Sequence, residues 1–312
     1  MADHARTTRW VDRTLSTLAP LPLPLLHALG ATLGTLLAYL PNEAQRVARL
    51  NLALCFPHLR RRERRRLLRH SLAETGKAAL ELAPVLKRSP KRLERWIRGV
   101  HGASHLQEAI ARRQGVVLLA PHLGCWELLN LWLAARYPLT ALYRPPRQAA
   151  LEPILIAART RNGGRLAPAD RRGVRSVLHA LARREMAGIL PDQEPEGPAP
   201  FAPFFGFPAK TMTLAGRVAE RSGATPVLAF AERLPRGRGF VLHFLPADPE
   251  LAATDPQTAT AALNRSIEAC VQRAPPQYQW TYKRFSTRPD GARLYPRRRR
   301  RHRNLQKAQP SR

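Results

Sequence analysis

Apolar and polar positions change pattern twice along the chain. From Leu15 to Leu40 the run LSTLAPLPLPLLHALGATLGTLLAYL has no formally charged residue, and His27 is its one side chain of a type that titrates near neutral pH. Pro20, Pro22 and Pro24 interrupt the run, so an unbroken helix is predicted over Leu25–Leu40. At 1.5 Å per residue this helix is roughly 24 Å long. That is short of the ~20 apolar residues of a perpendicular crossing and suits a helix embedded in one leaflet. A buried core helix is the alternative. The late start of the run and the lack of a small-residue cleavage site do not match a secretory signal peptide. The next stretch is charged: Arg46 to Arg69 is densely basic around Arg60-Arg-Arg-Glu-Arg-Arg-Arg66, and Lys87 to Arg98 adds further cations beside Trp96. Basic helices after an apolar one suit an anionic leaflet surface, and a merely solvated face would read the same way.

From Gly115 the pattern alternates. Short β-rich runs at Gly115–Pro121, Leu139–Tyr143, Met186–Pro191, Thr225–Ala231 and Gly239–Leu245 are interleaved with helical periodicity. The helices are expected at Leu123–Arg136, Leu151–Arg161, Gly173–Glu185, Thr211–Ser222 and Thr258–Arg273. Such alternation predicts an α/β fold with a single mixed, mostly parallel sheet covered by helices, preceded by an N-terminal membrane-associated helical segment. The expected divisions are 1–45 (anchor or interfacial helices), 46–110 (basic helices packing on the core), 111–290 (α/β core) and 291–312. That last stretch, which includes Arg297–Arg301, is expected to be a disordered basic tail.

Composition sharpens this picture at one point. Apolar content is an ordinary 44%, but 52 Lys+Arg against 22 Asp+Glu leave a formal charge of +30. Lysine occurs only at 77, 87, 91, 210, 283 and 307, so arginine carries most of the excess. A charge this large calls for an anionic partner: nucleic acid, anionic lipid, a phosphorylated substrate or an acidic carrier protein. Cys55, Cys125 and Cys270 are widely spaced and odd in number, which favours a reducing compartment over a disulfide framework.

The candidate chemistry begins at His122-Leu-Gly-Cys-Trp-Glu127. The preceding strand places His122 at a carboxyl end, where open α/β sheets bind ligands, and Glu127 falls about one helical turn further on. An imidazole so placed accepts a proton from a hydroxyl, while a carboxylate folded back on it fixes the tautomer and stabilises the imidazolium. A satisfied histidine capping the helix would give the same spacing. Cys125 is a second nucleophile to weigh, and a buried packing cysteine explains it equally well. Further clusters fall on the same rim: Leu142-Tyr-Arg-Pro-Pro-Arg147, Ala158-Arg-Thr-Arg161, Leu190-Pro-Asp-Gln-Glu-Pro195 and Pro203–Thr211. From them Arg144, Arg159, Asp192, Lys210 and Thr211 are the candidate substrate contacts, the arginines as phosphate forks and the Thr211 helix through its free N–H groups. No metal-ligand spacing, P-loop or dinucleotide glycine fingerprint is present, so neither metal nor organic cofactor is expected.

Taken in order, these motifs resemble the late acyltransferases of lipid A biosynthesis, the lauroyl/myristoyl type within the lysophospholipid acyltransferase superfamily. The resemblance covers about residues 10–296. It rests on His122–Glu127, Asn51–Pro57, Leu142-Tyr-Arg-Pro145, Pro191-Asp-Gln193, Phe204-Phe-Gly206 with Lys210-Thr211, Pro276–Trp280 and Arg284–Pro289. It implies a glycerol-3-phosphate acyltransferase-like core and transfer of a fatty acyl chain from acyl carrier protein, or acyl-CoA, to a hydroxyl of a lipid A precursor or related anionic lipid. The implied place is the cytoplasmic face of a cell inner membrane. In that family the motif histidine is the general base and the acid supports it, which maps onto His122 and Glu127; Arg159 matches a site-associated arginine. Two other readings remain beside it: a different acceptor (another lipid, or water in a thioesterase) and a basic nucleic-acid-binding protein. The latter lacks stacking aromatics among the basic runs and leaves Leu15–Leu40 without a role, so nucleic acid is not expected as a partner.

Overall fold

The computed structural model describes residues 2–295, except Arg147 and Asn162. The arginine-rich stretch from Pro296 to Arg312, most of the expected tail, lies outside the described residues. The chain opens with α1 (Ala2–Leu18), α2 (Leu23–Tyr39), α3 (Glu43–Cys55), α4 (Arg61–Lys87) and the short α5 (Pro90–Glu94). The core then runs β1 (Ile97–His101), α6 (Ala103–Ala111), β2 (Val116–Leu119), α7 (Trp126–Ala134), β3 (Leu139–Tyr143), α8 (Glu152–Thr160) and β4 (Arg165–Pro168). It continues with α9 (Arg171–Ala182), β5 (Met186–Ile189), β6 (Phe201–Phe204), β7 (Phe207–Lys210), α10 (Leu214–Ser222), β8 (Thr225–Arg233), β9 (Phe240–Pro246) and α11 (Pro256–Arg273).

Seven strands form one sheet in the order β1-β9-β8-β2-β5-β3-β4, and β6 pairs with β7 in a separate hairpin. Every pairing in the large sheet is parallel except β8 with β9, so the sheet is mixed and mostly parallel. β2 and β5 sit inside it with every residue buried, which is why they read as unbroken apolar runs. Within this sheet periodicity does not reveal β1 (IRGVH) and β4 (RLAP), which lie at the two edges and carry charged residues there; the β6–β7 hairpin is likewise not expected from the pattern.

The N-terminal apolar run is bent. α1 ends at Leu18, α2 starts at Leu23, and their axes diverge by 120°. Pro22 sits at the N-cap and Pro24 in the first turn, where a missing N–H costs nothing, so α2 begins two residues earlier than expected. No single described helix is long and apolar enough to cross a membrane; α1 and α2 pass that test only as a bent pair. One face of α2 presses on α4. A Cβ on Gly30 would lie 2.6 Å from the Gly76 carbonyl oxygen, and one on Gly34 2.0 Å from that of Leu72. The opposite face presents Leu25, Leu29, Leu33, Leu36, Leu37 and Leu40 to the outside, with Leu33 54% exposed.

Candidate functional site

The site grows out of the sheet's register. β2 and β5 are parallel neighbours with Leu119 opposite Ile189. Three residues beyond each partner stand His122 and Asp192, so the pairing itself brings them side by side. Asp192 receives the His122 backbone N–H on Oδ2 at 2.9 Å and the imidazole Nδ1 on Oδ1 at 2.7 Å. Asp192 is only 2% exposed. Burial alone would push its carboxyl up; the charge of His122 and the hydrogen bonds from its ring and backbone outweigh this and hold it below the usual carboxylate range. An ionised Asp192 can only accept, which puts a proton on Nδ1 and, in the neutral imidazole, leaves the lone pair on Nε2. The Gln193 amide donates toward that lone pair at 3.3 Å and also reaches Gln279 Oε1 at 3.3 Å. Gln279 in turn donates its backbone N–H to the His122 carbonyl at 3.0 Å. Tyr278 stands against Asp192; burial first, and then the Asp192 charge, push its phenol well above the ordinary value.

Glu127 does not fold back onto the imidazole, and that expectation is corrected. Leu123 and Gly124, expected to be helical, instead form bridges with Tyr278 and Ala231, and α7 starts only at Trp126. Glu127 in its first turn is drawn toward the end of α8, where Arg159 takes both carboxylate oxygens: Nε to Oε2 at 3.0 Å and Nη2 to Oε1 in a closer contact. The guanidinium also lies 5.5 Å over the Tyr143 ring. Burial would lower the Arg159 pKa, but Glu127 raises it further than burial depresses it. Between the two pairs, the Trp126 ring meets the His122 ring edge-on at 5.1 Å.

The loop joining His122 to Glu127 is fastened from behind. Gly124 has φ +63°, and a Cβ there would lie 1.9 Å from the Ala231 carbonyl oxygen. Its own carbonyl accepts from Arg233 Nη2 at 2.7 Å. Arg233 grips Glu81 of α4 through contacts of 2.7 and 2.8 Å, and Glu81 meets His27 of α2 at 2.9 Å. Burial alone would raise the Glu81 carboxyl; Arg233 and His27 bring it down to about 2. Periodicity gives no hint of this pairing, although an acid inside Ala78-Ala-Leu-Glu-Leu-Ala-Pro-Val85 and a histidine inside an uncharged run both signal polar groups needing partners. Cys125 is fully buried, and burial first, with Glu81 adding to it, raises its thiol far above the reactive range. Packing is therefore its role.

The other candidates lie apart from these two pairs. Arg144 is exposed and loosely paired with Glu196 at 3.5 Å. Lys210 ends β7, and its backbone carbonyl accepts from Arg284 at 2.6 Å. Thr211 is a second correction: it is fully buried, donates to Ala209 O at 2.8 Å, and accepts from Asn264 and Arg284 at 3.0 Å each. Its hydroxyl is spent on the core because it precedes α10 by three residues instead of opening it. Among the described residues, no three His, Cys, Asp or Glu side chains gather as metal ligands would.

Comparison with known proteins places this geometry in context. A family model described as bacterial lipid A biosynthesis acyltransferase matches residues 6–287. The chain is 30% identical over 274 residues to the lipid A biosynthesis lauroyltransferase of Escherichia coli strain K12, covering 87% of this chain and 88% of that one. It is 30% identical over 273 residues to the lipid A biosynthesis palmitoleoyltransferase of the same strain, with 87% and 88% covered. The myristoyltransferase of that strain is 25% identical over 264 residues, with 84% and 81% covered. With the family model spanning nearly the whole described chain and both site pairs inside it, the protein belongs to the bacterial lipid A biosynthesis acyltransferases.

Proposed function

We propose that the enzyme moves a fatty acyl chain from acyl carrier protein to a hydroxyl of a lipid A precursor, with His122 as general base. The observation that carries this reading is the His122 imidazole. Its Nδ1 is committed to a buried, ionised Asp192, and its Nε2 lone pair faces only the Gln193 amide, at 3.3 Å, among the described residues. The acceptor hydroxyl takes the place of the Gln193 amide at Nε2 and loses its proton as its oxygen attacks the thioester carbonyl. Asp192 stabilises the imidazolium. Collapse of the tetrahedral intermediate expels the carrier's thiolate, which takes the proton from Nε2, so no cofactor enters the balance. Arg159, held by Glu127 through Nε and Nη2, keeps Nη1 uncommitted among the described residues for the developing oxyanion or a substrate phosphate.

The same reading puts the enzyme at the cytoplasmic face of the inner membrane. The leucine face of α2 supplies apolar contact with the bilayer, and the positive surface attracts both anionic lipid and an acidic carrier. The test is purified protein incubated with acyl carrier protein thioester and lipid A precursor, read by mass spectrometry. Wild type adds one acyl chain, and His122→Ala loses about 10²–10⁴-fold in rate while keeping its fold. Hydrolysis of the thioester without transfer, or near-normal transfer by a folded His122→Ala enzyme, overturns the assignment.

A further inference from the structure

A cleft of about 570 Å³ opens between the carboxyl-terminal end of α2, α3 and the first turns of α4. Arg49, Arg61, Arg64, Arg65 and Arg69 line it beside Tyr39, and no acidic residue does. Among the described residues Arg49, Arg61, Arg65 and Arg69 make no ion pair, while Arg64 turns one nitrogen to the carbonyls of Phe56 and Pro57 at 3.4 and 3.1 Å.

This arrangement is not what stability would select. The amino-terminal end of a helix carries about half a positive charge, so arginines packed into the first turns of α4 are repelled by the helix itself as well as by one another. The one acid among them, Glu63, does not neutralise a guanidinium; it caps the Arg60 backbone N–H at 2.6 Å. His70, on the next turn, registers the uncompensated field: partial burial lowers its pKa first, and Arg66 and Arg69 lower it further.

The cleft's position names its occupant. Tyr39, 67% exposed, both borders the cleft and ends the leucine face of α2. A tyrosine at the end of an apolar face belongs at headgroup depth. Along α4, Arg65 stands sixteen residues, roughly 24 Å, from Glu81, which fastens the His122 loop, so a group bound here lies well away from the reacting atoms. Resting on the membrane placement of α2 proposed above, we infer that this cleft holds the phosphate headgroup of an anionic bilayer phospholipid and so fixes how the enzyme sits on its membrane.

The experiment is co-sedimentation of the full chain with neutral phosphatidylcholine vesicles and with vesicles containing one-fifth phosphatidylglycerol. Wild type should bind the anionic vesicles about tenfold or more tightly than the neutral ones. The exposed pair Arg61→Gln/Arg65→Gln should lose most of that preference and keep its melting temperature and neutral-vesicle binding. Arg172→Gln/Arg175→Gln, removing equal charge from α9, should keep it. Equal loss in both pairs would reduce the effect to diffuse charge and overturn the site. Abolition of the preference by millimolar inorganic phosphate, but not by chloride of matched ionic strength, would show a free-phosphate site and overturn the lipid assignment. Neutral vesicles bound without any anionic preference would sink the cleft alone, whereas wild type binding neither vesicle would sink the membrane placement on which it rests.

Discussion

At the scale of single residues, the proposed chemistry depends on which carboxylate orients His122. Asp192 accepts from both the ring and the backbone of that residue, so an amide in its place keeps the shape and loses the charge. Asp192→Asn should retain the fold and lower acyl transfer by about 10²–10⁴-fold with KM little changed, measured in steady-state assays. Arg159 presents a planar fork to Glu127 that an ammonium cannot reproduce. Arg159→Lys should therefore lose at least about tenfold in kcat/KM although the charge is conserved, and an unchanged value would remove Arg159 from the site. His122 is visible in the sequence because it follows an apolar strand and precedes a helix, the carboxyl-end position at which open α/β sheets bind ligands. Asp192 is visible only as a candidate substrate contact; its pairing with His122 is not, because the two lie seventy residues apart and only strand pairing makes them adjacent.

Helix α4 is the element that ties the apolar N-terminus to the loop between His122 and Glu127. Its Gly76 and Leu72 backbone receive Gly30 and Gly34 of α2, and its Glu81 is the centre of the buried His27–Glu81–Arg233 group. Gly34→Val should separate the helices and lower the melting temperature, since its Cβ would overlap a carbonyl oxygen. Glu81→Gln leaves buried Arg233 with only the longer contact to Glu74 at 3.6 Å as counter-charge and should cost about 3 kcal/mol, read by denaturant unfolding. Glu81→Leu with Arg233→Met should be milder than either change alone. Because the folded Glu81 carboxyl sits near 2 against an ordinary 4.5, its contribution is complete above the ordinary value and disappears as pH falls toward 2. Wild type should thus lose on the order of 3 kcal/mol across that window, and Glu81→Gln should show a flatter acid limb.

Over the whole molecule, charge and topology act separately. The +30 balance does not select a fold; it sets what approaches the surface and how fast. Raising salt from 50 to 500 mM should increase the apparent KM for the carrier thioester several-fold with little change in kcat, and a flat response would exclude docking by charge.

What the sequence determines by itself is whatever local periodicity encodes. The buried strands of the sheet centre, the helices between them, the bend at the prolines and the position of His122 all follow from side-chain spacing and backbone chemistry within a few residues. Edge strands β1 and β4 escape, because they carry charged residues that break the apolar pattern. Tertiary structure alone decides the partnerships. It turns Glu127 to Arg159, gives His122 to Asp192, spends Thr211 on the core and closes Glu81 on Arg233. Each pairs residues far apart in the chain whose meeting depends on strand register or helix crossing, and a carboxylate's choice among arginines and imidazoles is settled by which one burial places within reach.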